Sequence, residues 1–316
     1  MERVMTSSVD AGLAAVVRRF GPPEVIQIET AKVPAPDAGQ VRVRVQAAGV
    51  GPWDVQIRSG KSPVLRPLPL VIGAELAGVV ETVGFGVSSV AVGDVVYGVT
   101  NADWTGAHAE LALADEARIS VRPIMLTSIE AAAVPVVACT ALQMVELADI
   151  SVGMRTLVLH DSGNVGQWTT RLALRRGAEV VAVVQASEVG EADRLGARQV
   201  FTSLPARTPA FDLVLDTVGG VLASLSLRLL RPGGRLVSSA PSFEPASFGR
   251  PDISARFFAG KVTAARLGLL SGWIDGGGFP VQLGEVLPLR DAILAHRKLE
   301  GLEAKAPGGL VLRVAD

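Results

Sequence analysis

The chain of 316 residues is 49% apolar and 19% charged, and its formal net charge is −1. Its length allows two domains with separate cores, and its near-neutral charge excludes the basic surface that recruits nucleic acid or acidic membranes. The single cysteine, Cys139, excludes an internal disulfide framework and cannot by itself build a zinc site. The polar N-terminus lacks a signal-peptide core, and no apolar run is long enough to span a bilayer, so we predict a cytoplasmic protein.

Short β-branched segments dominate the first part of the chain. The segment VRVRVQAAGV (41–50) alternates valine with arginine or glutamine, a period of two that buries one face of a strand. Strand-and-turn segments follow at 76–84 (LAGVVETVG) and 92–99 (VGDVVYGV), with glycines marking the turns. Residues 12–122 are therefore predicted to form an all-β, barrel-like domain.

The pattern changes to alternating helices and strands near residue 127. Thr127 or Ser128 with Glu130 forms a helix N-terminal capping signal, and Pro135 divides the helical segment in two. Predicted strands then cover 156–159, 179–184, 199–202, 212–217 and 235–239, and predicted helices cover 166–176, 188–195 and 221–230. This alternation predicts a parallel, doubly wound α/β sheet. The closing segment GGLVLRV (308–314) is predicted as an edge strand able to pair back with the first domain.

The stretch TLVLHDSGNVGQW (156–168) connects a strand to a helix through a glycine turn. Gly163 and Gly166 have the third-residue spacing of dinucleotide-binding folds. There, one glycine lets the backbone approach a pyrophosphate and the other lets helix and strand pack closely. An ordinary strand-to-helix turn is the alternative, but DLVLDTVGG (212–220) and LLRPGGRLVSSA (229–240) lie at distances that favour a cofactor site.

Motifs along almost the whole chain resemble the medium-chain dehydrogenase/reductase superfamily, in its zinc-free quinone oxidoreductase branch. They are RRFGPPEVIQIETAKVPAPDAGQVRVRVQAAGV (18–50), PLPLVIGAELAGVVETVGFGVSSVAVGDVVYG (67–98), EAAAVPVVACTALQMV (130–145), DTVGG (216–220) and LPLRDAILAHRKLE (287–300). The resemblance implies a β-barrel-like (GroES-like) catalytic domain built from residues 1–122 and 266–316. It also implies a Rossmann domain with a doubly wound parallel sheet at 123–265.

The same resemblance argues against zinc. Zinc-dependent relatives carry a cysteine where this chain has Gly51 and a histidine where it has Ala74. The four-cysteine structural lobe of those relatives is missing as well. We therefore expect no bound zinc.

By resemblance, the residues that contact the cofactor follow the strands of the second domain. They are Thr140, Gly163, Asn164, Val165, Gly166, Gln185, Ser187, Val218, Gly219, Ser239 and Ala240. Gln185 replaces the carboxylate that selects NAD through its ribose hydroxyls, whereas Ser187 and Arg194 remain as partners for a 2′-phosphate. NADPH is therefore favoured over NADH.

Several positions depart from the family pattern where the cofactor is expected. His160 and Asp161 stand in the phosphate turn, where a small residue is usual. Asp161 either repels the pyrophosphate or faces solvent and favours the helix N-terminus through its charge. Together these departures indicate weaker or differently arranged cofactor binding.

Three side chains are candidates for the substrate side, because GPWDVQIRSG (51–60) resembles a family segment that borders nicotinamide and substrate. Trp53 can wall an aromatic substrate by stacking, and Gln56 can hydrogen-bond a carbonyl but cannot act as an acid. His108, where relatives often carry tyrosine, is a candidate proton shuttle. A histidine that packs between strands is the alternative, and Asp54 is interpreted as fixing its loop.

The sequence thus favours an NADPH-dependent, zinc-independent reductase of a quinone or an α,β-unsaturated carbonyl. One alternative is a non-redox biosynthetic enzyme, such as a cyclase or lyase, with a degenerate cofactor site. Another is a cofactor-sensing or lens-type structural protein. A small-molecule substrate, no nucleic-acid or membrane partner, and a homodimer formed through the edge strands of the Rossmann sheets are expected by analogy.

Overall fold

A computed structural model describes residues 10–160, 164–186, 189–205, 210–243 and 250–315 of the chain. These residues separate into two units, one from residues 10–136 with 262–315 and the other from residues within 137–261. The sequence places the domain boundaries at 122/123 and 265/266, whereas the units divide at 136/137 and 261/262. The first of the two helices around Pro135 therefore belongs to the first unit.

The strands and helices follow the order expected from the sequence. The strands are β1 (Asp10–Val17), β2 (Ile26–Val33), β3 (Gln40–Val50), β4 (Leu70–Val71), β5 (Glu75–Val83), β6 (Val95–Val99), β7 (Leu111–Asp115), β8 (Ile119–Val121), β9 (Arg155–Leu159), β10 (Glu179–Val183), β11 (Gln199–Phe201), β12 (Phe211–Asp216), β13 (Leu230–Ser238), β14 (Ser254–Phe257), β15 (Leu283–Pro288) and β16 (Gly309–Arg313). The helices are α1 (Pro52–Ser59), α2 (Ser128–Ala131), α3 (Pro135–Ala148), α4 (Asn164–Arg175), α5 (Val189–Arg194), α6 (Gly220–Ser226), α7 (Ala264–Asp275) and α8 (Ala292–Leu299).

The first unit is built on two sheets of mainly antiparallel strands. A small sheet has the order β2-β1-β4, and a larger one has the order β15-β16-β3-β5-β6-β8, with β7 also paired to β3. In β3 the valines at 41, 43 and 45 are fully buried, as the period of two predicts. The predicted barrel-like domain is confirmed, and the GroES-like fold class with it.

Helix α1 carries the candidate substrate residues, and its ends are set by local sequence. Pro52 occupies the first helical position, where its missing N–H is not needed. The buried Asp54 carboxylate accepts a hydrogen bond of 2.8 Å from the Gly51 N–H. The helix ends at Gly60, whose φ of +75° suits glycine. This short helix is therefore held at both ends, which fixes the direction of its side chains.

The second unit contains a six-stranded sheet in which every neighbouring pair is parallel. Its order is β11-β10-β9-β12-β13-β14, the arrangement of a Rossmann fold. The central strands are fully or almost fully buried, and they read as the continuous apolar runs expected of a sheet covered on both faces. The predicted doubly wound sheet is confirmed.

Two predictions about strands need correction. The segment GGLVLRV forms β16, which pairs back with β3 as predicted, but β16 lies between β15 and β3 and is not an edge strand. Strand β14, which lies beside β13 as one of the two edge strands of the parallel sheet, was not predicted from the sequence. Both errors concern pairing between distant segments, which the local pattern of a strand does not encode.

Among the described residues, no helix combines the length and apolar character needed to cross a membrane.

Candidate functional site

The carboxyl edge of the parallel sheet is the first candidate site. Strand β9 lies at the middle of the sheet, and the chain continues to β10 on one side of it and later to β12 on the other. Such a switch point leaves a crevice beyond the carboxyl ends of the strands, where doubly wound folds bind their ligands. The described residues among the cofactor positions predicted outside α3 lie in the segments that follow these strands.

The structure places most of these residues directly after a strand. Asn164, Val165 and Gly166 begin α4, Gln185 is exposed just beyond β10, Val218 and Gly219 follow β12, and Ser239 and Ala240 follow β13. Gly163 and Ser187, together with Asp161, lie outside the described residues. The described part of the candidate site thus gathers side chains and backbone from the segments that follow four strands, β9, β10, β12 and β13, at one edge of the sheet.

His160, the first residue after β9, has its side chain packed against α4. Its Nε2 lies 2.8 Å from the Thr170 hydroxyl on that helix, and the side chain is almost fully buried. Burial lowers the pKa of the imidazole to about 4. The neutral ring therefore contributes no positive charge to a pyrophosphate at neutral pH.

Gly166 and His160 share one small volume. A Cβ atom added at Gly166 would lie 2.8 Å from Cγ and 2.9 Å from Nδ1 of His160, closer than carbon and nitrogen atoms can pack. Gly166 therefore accommodates the imidazole ring in addition to allowing close approach of helix and strand. The unusual histidine and the conventional glycine are sterically matched.

Asp216, at the end of β12, organises the neighbouring turn, and the sequence analysis missed it. Its carboxylate accepts hydrogen bonds from the backbone N–H groups of Val218 (3.0 Å) and Gly219 (2.9 Å) and from the Ser238 hydroxyl (2.5 Å). Burial raises the pKa of Asp216, and these three hydrogen bonds oppose that rise. Asp216 thus joins the ends of β12 and β13. The sequence feature that could have identified Asp216 is an aspartate at the end of an otherwise largely apolar strand.

Thr140 on α3 meets a close turn of the chain at Gly260. A Cβ atom at Gly260 would lie 2.3 Å from the Thr140 hydroxyl oxygen, so only glycine allows the backbone to pass there. Close by, the Lys261 N–H donates to the Gln143 side-chain oxygen over 2.9 Å. Thr140 was predicted from the sequence, whereas Gly260 was not.

In the first unit, the Trp53 side chain lies over Gly51. A Cβ atom at Gly51 would come within 2.2 Å of Cζ2 of Trp53. The Trp53 indole also meets Trp104 edge to face, with ring centroids 5.6 Å apart and planes at 85°. The two tryptophans form an aromatic corner beside the start of α1.

This arrangement does not fit a zinc ion. Neither Gly51 nor Ala74 has a side-chain donor atom, and the Trp53 indole fills the space that a side chain at Gly51 would need. Among the described residues, there is no group of three or more histidine, cysteine, aspartate or glutamate side chains able to hold a metal ion. Gly51 and Ala74 therefore supply no ligand to a zinc ion.

Two buried carboxyl groups lie near the same helix. Burial raises the pKa of Asp54 to about 8, against hydrogen bonds from the Gly51 and Ala74 backbone that lower it. Burial likewise raises the pKa of Glu75 to about 8, and its Oε1 accepts a 2.7 Å hydrogen bond from the Val136 N–H. Burial thus favours the protonated form of both groups, and the charge of Asp54 adds to the rise at Glu75. Their hydrogen bonds fit the interpretation of Asp54 as a residue that fixes its loop.

His108 and Gln56 occupy contrasting environments. His108 is fully buried, and its Nε2 donates to the Gly49 carbonyl oxygen over 2.9 Å, since a carbonyl only accepts. Burial lowers the pKa of His108 to about 4. Gln56 is exposed on α1, three residues after Trp53. The structure thus places Trp53 and Gln56 on the same helix, α1. It attaches His108 to β3, the strand that precedes α1, through the Gly49 carbonyl.

Two family models and several curated proteins match this chain. The model of the alcohol dehydrogenase GroES-like domain matches residues 37–123, and that of the zinc-binding dehydrogenases matches residues 164–312. A quinone oxidoreductase of Sus scrofa is 30% identical over 312 residues, which cover 90% of this chain and 92% of that protein. The chain belongs to the medium-chain dehydrogenase/reductase superfamily, as a quinone oxidoreductase-like member.

A solved structure and a polyketide synthase are also similar to this chain. The structure of a quinone oxidoreductase from Coxiella burnetii superposes with a TM-score of 0.86 at 25% identity and covers 96% of this chain and 100% of its own. The polyketide synthase GfsB of Streptomyces halstedii is 36% identical over 208 residues, which cover 64% of this chain but 4% of that protein. Medium-chain dehydrogenases/reductases bind NAD(P), and these similarities support an oxidoreductase.

Proposed function

We propose that the protein is a zinc-independent, NADPH-dependent reductase of a quinone or an α,β-unsaturated carbonyl compound. The observation that carries this proposal is the carboxyl edge of the parallel sheet, where Asp216 joins the turns after β12 and β13. The similarity to quinone oxidoreductases over nine-tenths of the chain supports the same chemistry. A small molecule is thus the proposed substrate.

The described residues at this edge suit a dinucleotide. The start of α4 offers backbone N–H groups and the positive end of the helix dipole to a pyrophosphate. Gln185, which follows β10, presents an amide where an NAD-selective site has a carboxylate, so we propose NADPH over NADH. When bound, the nicotinamide cofactor supplies the hydride.

On the substrate side, we assign binding roles to the partly exposed Trp53 and the exposed Gln56 of α1. Trp53 offers an aromatic wall, and the Gln56 amide can donate a hydrogen bond to a substrate carbonyl. His108 is buried, neutral and bonded to the Gly49 carbonyl, so it acts as a positioning residue. The hydroxyl of Tyr97, the single tyrosine of the chain, donates its hydrogen bond to the Leu267 carbonyl oxygen, so we do not assign it as a proton donor to the substrate. Solvent water is therefore the proposed source of protons, which suits a quinone.

The proposal is tested by following NADPH oxidation with p-benzoquinone and with cyclohexenone, and with cyclohexanone as the saturated control. We expect turnover of at least one unsaturated compound and none of the saturated ketone. Gln56→Leu should raise KM for that substrate by about tenfold, the value of one hydrogen bond to a carbonyl. The matched variant Gln27→Leu, at an exposed glutamine of β2, should leave KM unchanged.

One observation favours a second candidate function. His160 occupies the phosphate turn with a buried, uncharged side chain, which suits a chain that has kept the fold and lost the cofactor. A non-redox biosynthetic activity then replaces the reductase. Titration of the full chain with NADPH, followed by quenching of tryptophan fluorescence, separates the two, because only the reductase binds NADPH.

We also propose a homodimer formed through the edge strand β14. This strand lies at the end of the parallel sheet with one side unpaired among the described residues, and Phe257 is 40% exposed there. An unpaired strand edge is a ready template for pairing with a second copy. The Phe258 N–H donates to the Ser238 carbonyl oxygen of β13, so the Phe257 N–H points to the open edge of β14. Sedimentation of the wild type against Phe257→Pro, which removes that edge N–H, tests the dimer.

A further inference from the structure

A group of buried polar side chains surrounds the inner side of α1 in the first unit. Arg58 lies on α1, His108 on the loop before β7 and His296 on α8, and each is fully buried. Five of their nitrogen atoms have no hydrogen-bond partner among the described residues: Nε and Nη1 of Arg58, Nδ1 of His108, and Nδ1 and Nε2 of His296. Buried polar atoms without partners are costly and rare in folded proteins.

The charge of this group is already balanced. Nη2 of Arg58 forms an ion pair of 2.7 Å with Oε1 of Glu300, just beyond the end of α8. Burial lowers the pKa of His296 well below its ordinary value, and the neighbouring His108 and Arg58 lower it further. With His108 neutral as well, the group carries no net charge at neutral pH, and therefore offers no electrostatic advantage to either an anion or a cation.

The hydrogen-bonding capacity of the group is not balanced. His108 uses Nε2–H on the Gly49 carbonyl, so its Nδ1 is an acceptor. Neutral His296 has one donor and one acceptor, and Arg58 adds donors on Nε and Nη1. Three donor nitrogens therefore face two acceptor nitrogens. The two rings stand edge to face with centroids 6.1 Å apart, and they form no hydrogen bond with each other.

We infer that Arg58, His108 and His296 enclose a buried water site that ties α1 to α8 and to the loop before β7. Water is the ligand whose chemistry fits, because it is neutral, accepts from the surplus donors and donates to the imidazole lone pairs. Internal water of this kind makes two to four hydrogen bonds and belongs to the structure. The site would hold the helix that carries Trp53 and Gln56.

Two variants of similar volume at position 296 test the inference. His296→Gln keeps a donor and an acceptor for water, whereas His296→Leu keeps neither. If water is bound, the leucine variant strands the Arg58 donors, and its Tm should fall about 4 °C below that of the glutamine variant. If the site is dry, leucine removes two unsatisfied atoms and should be at least as stable as glutamine. That order of Tm values would overturn the inference.

A double-mutant cycle and a crystal structure complete the test. Arg58→Met should lower Tm less in the His296→Leu background than in the wild type, because both changes remove the same bridging water. Strictly additive losses would contradict a shared site. In a crystal structure of the wild type at about 1.5 Å or better, we expect ordered solvent within about 3.2 Å of Arg58 and His296 nitrogens. Direct contacts without solvent would refute the inference whatever the Tm values show.

Discussion

The buried carboxyl of Asp54 predicts an unusual dependence of stability on pH. The side chain is fully buried in the first unit and accepts a hydrogen bond from the Gly51 N–H. Burial raises its pKa from 3.8 to about 8. Asp54→Asn keeps the shape and the acceptor oxygen but removes the titration. The difference in stability between the two proteins therefore reports the titration of Asp54 together with the effect of its charge on the neighbouring Glu75, whose pKa that charge raises.

The sign follows from the two pKa values. Between pH 4 and pH 8 the unfolded chain has lost the Asp54 proton and the folded protein has kept it, so the folded state binds more protons and stability falls as pH rises. Each pH unit is worth about 1.4 kcal/mol, and the effect levels off as the folded group itself ionises near pH 8. From pH 6 to pH 8 the wild type should lose about 2 kcal/mol relative to Asp54→Asn.

Urea unfolding of both proteins at pH 6, 7 and 8 measures this difference. Asp37→Asn, at an exposed aspartate in the same unit, is the matched control and should run parallel to the wild type across this range. If the gap between wild type and Asp54→Asn stays constant, the folded protein holds Asp54 ionised. The assignment of a neutral carboxyl at this position would then be wrong.

Three further predictions concern the two candidate sites. Gly166→Val should lower Tm and weaken NADPH binding, because the valine side chain would meet the His160 ring. Adding His160→Ala should restore part of the lost Tm. A double variant with the same Tm as Gly166→Val alone would contradict the steric match. Isothermal titration should give a lower Kd for NADPH than for NADH, since Gln185 is not a carboxylate, and the reverse order would reject that choice. Elemental analysis after purification without chelators should find no stoichiometric zinc, because Gly51 and Ala74 supply no ligands.

Much of the fold could be predicted because its signals are local. The capping residues Thr127 and Glu130 do cap α2, with the Thr127 N–H donating to Glu130 over 2.8 Å. Pro135 does separate two helices, since α3 begins at that residue. The apolar runs of the parallel strands appear within a residue or two of their predicted bounds over most of the second unit. The neighbours of β16 were missed because strand pairing depends on distant segments.

The site was harder to predict because side-chain direction is decided by packing. Arginine is usually exposed, and the local sequence around Arg58 gives no sign of burial. Arg58 is nevertheless fully buried, and it pairs with Glu300, 242 residues away along the chain. His160 was identified as a departure, but whether its ring faces a phosphate or α4 depends on the space beside Gly166. The predicted roles of Trp53, Gln56 and the cofactor residues stay predictions until ligands are bound.

The packing of Trp53 over Gly51 also constrains how this protein can change. A lone Gly51→Cys substitution would place its Cβ 2.2 Å from the indole, so it would meet a steric penalty before it could bind any metal. Recovery of a zinc centre needs a donor at Gly51, a donor at Ala74 and a smaller or displaced side chain at Trp53 together. A zinc centre at this place therefore requires several coordinated changes, and no single substitution creates it.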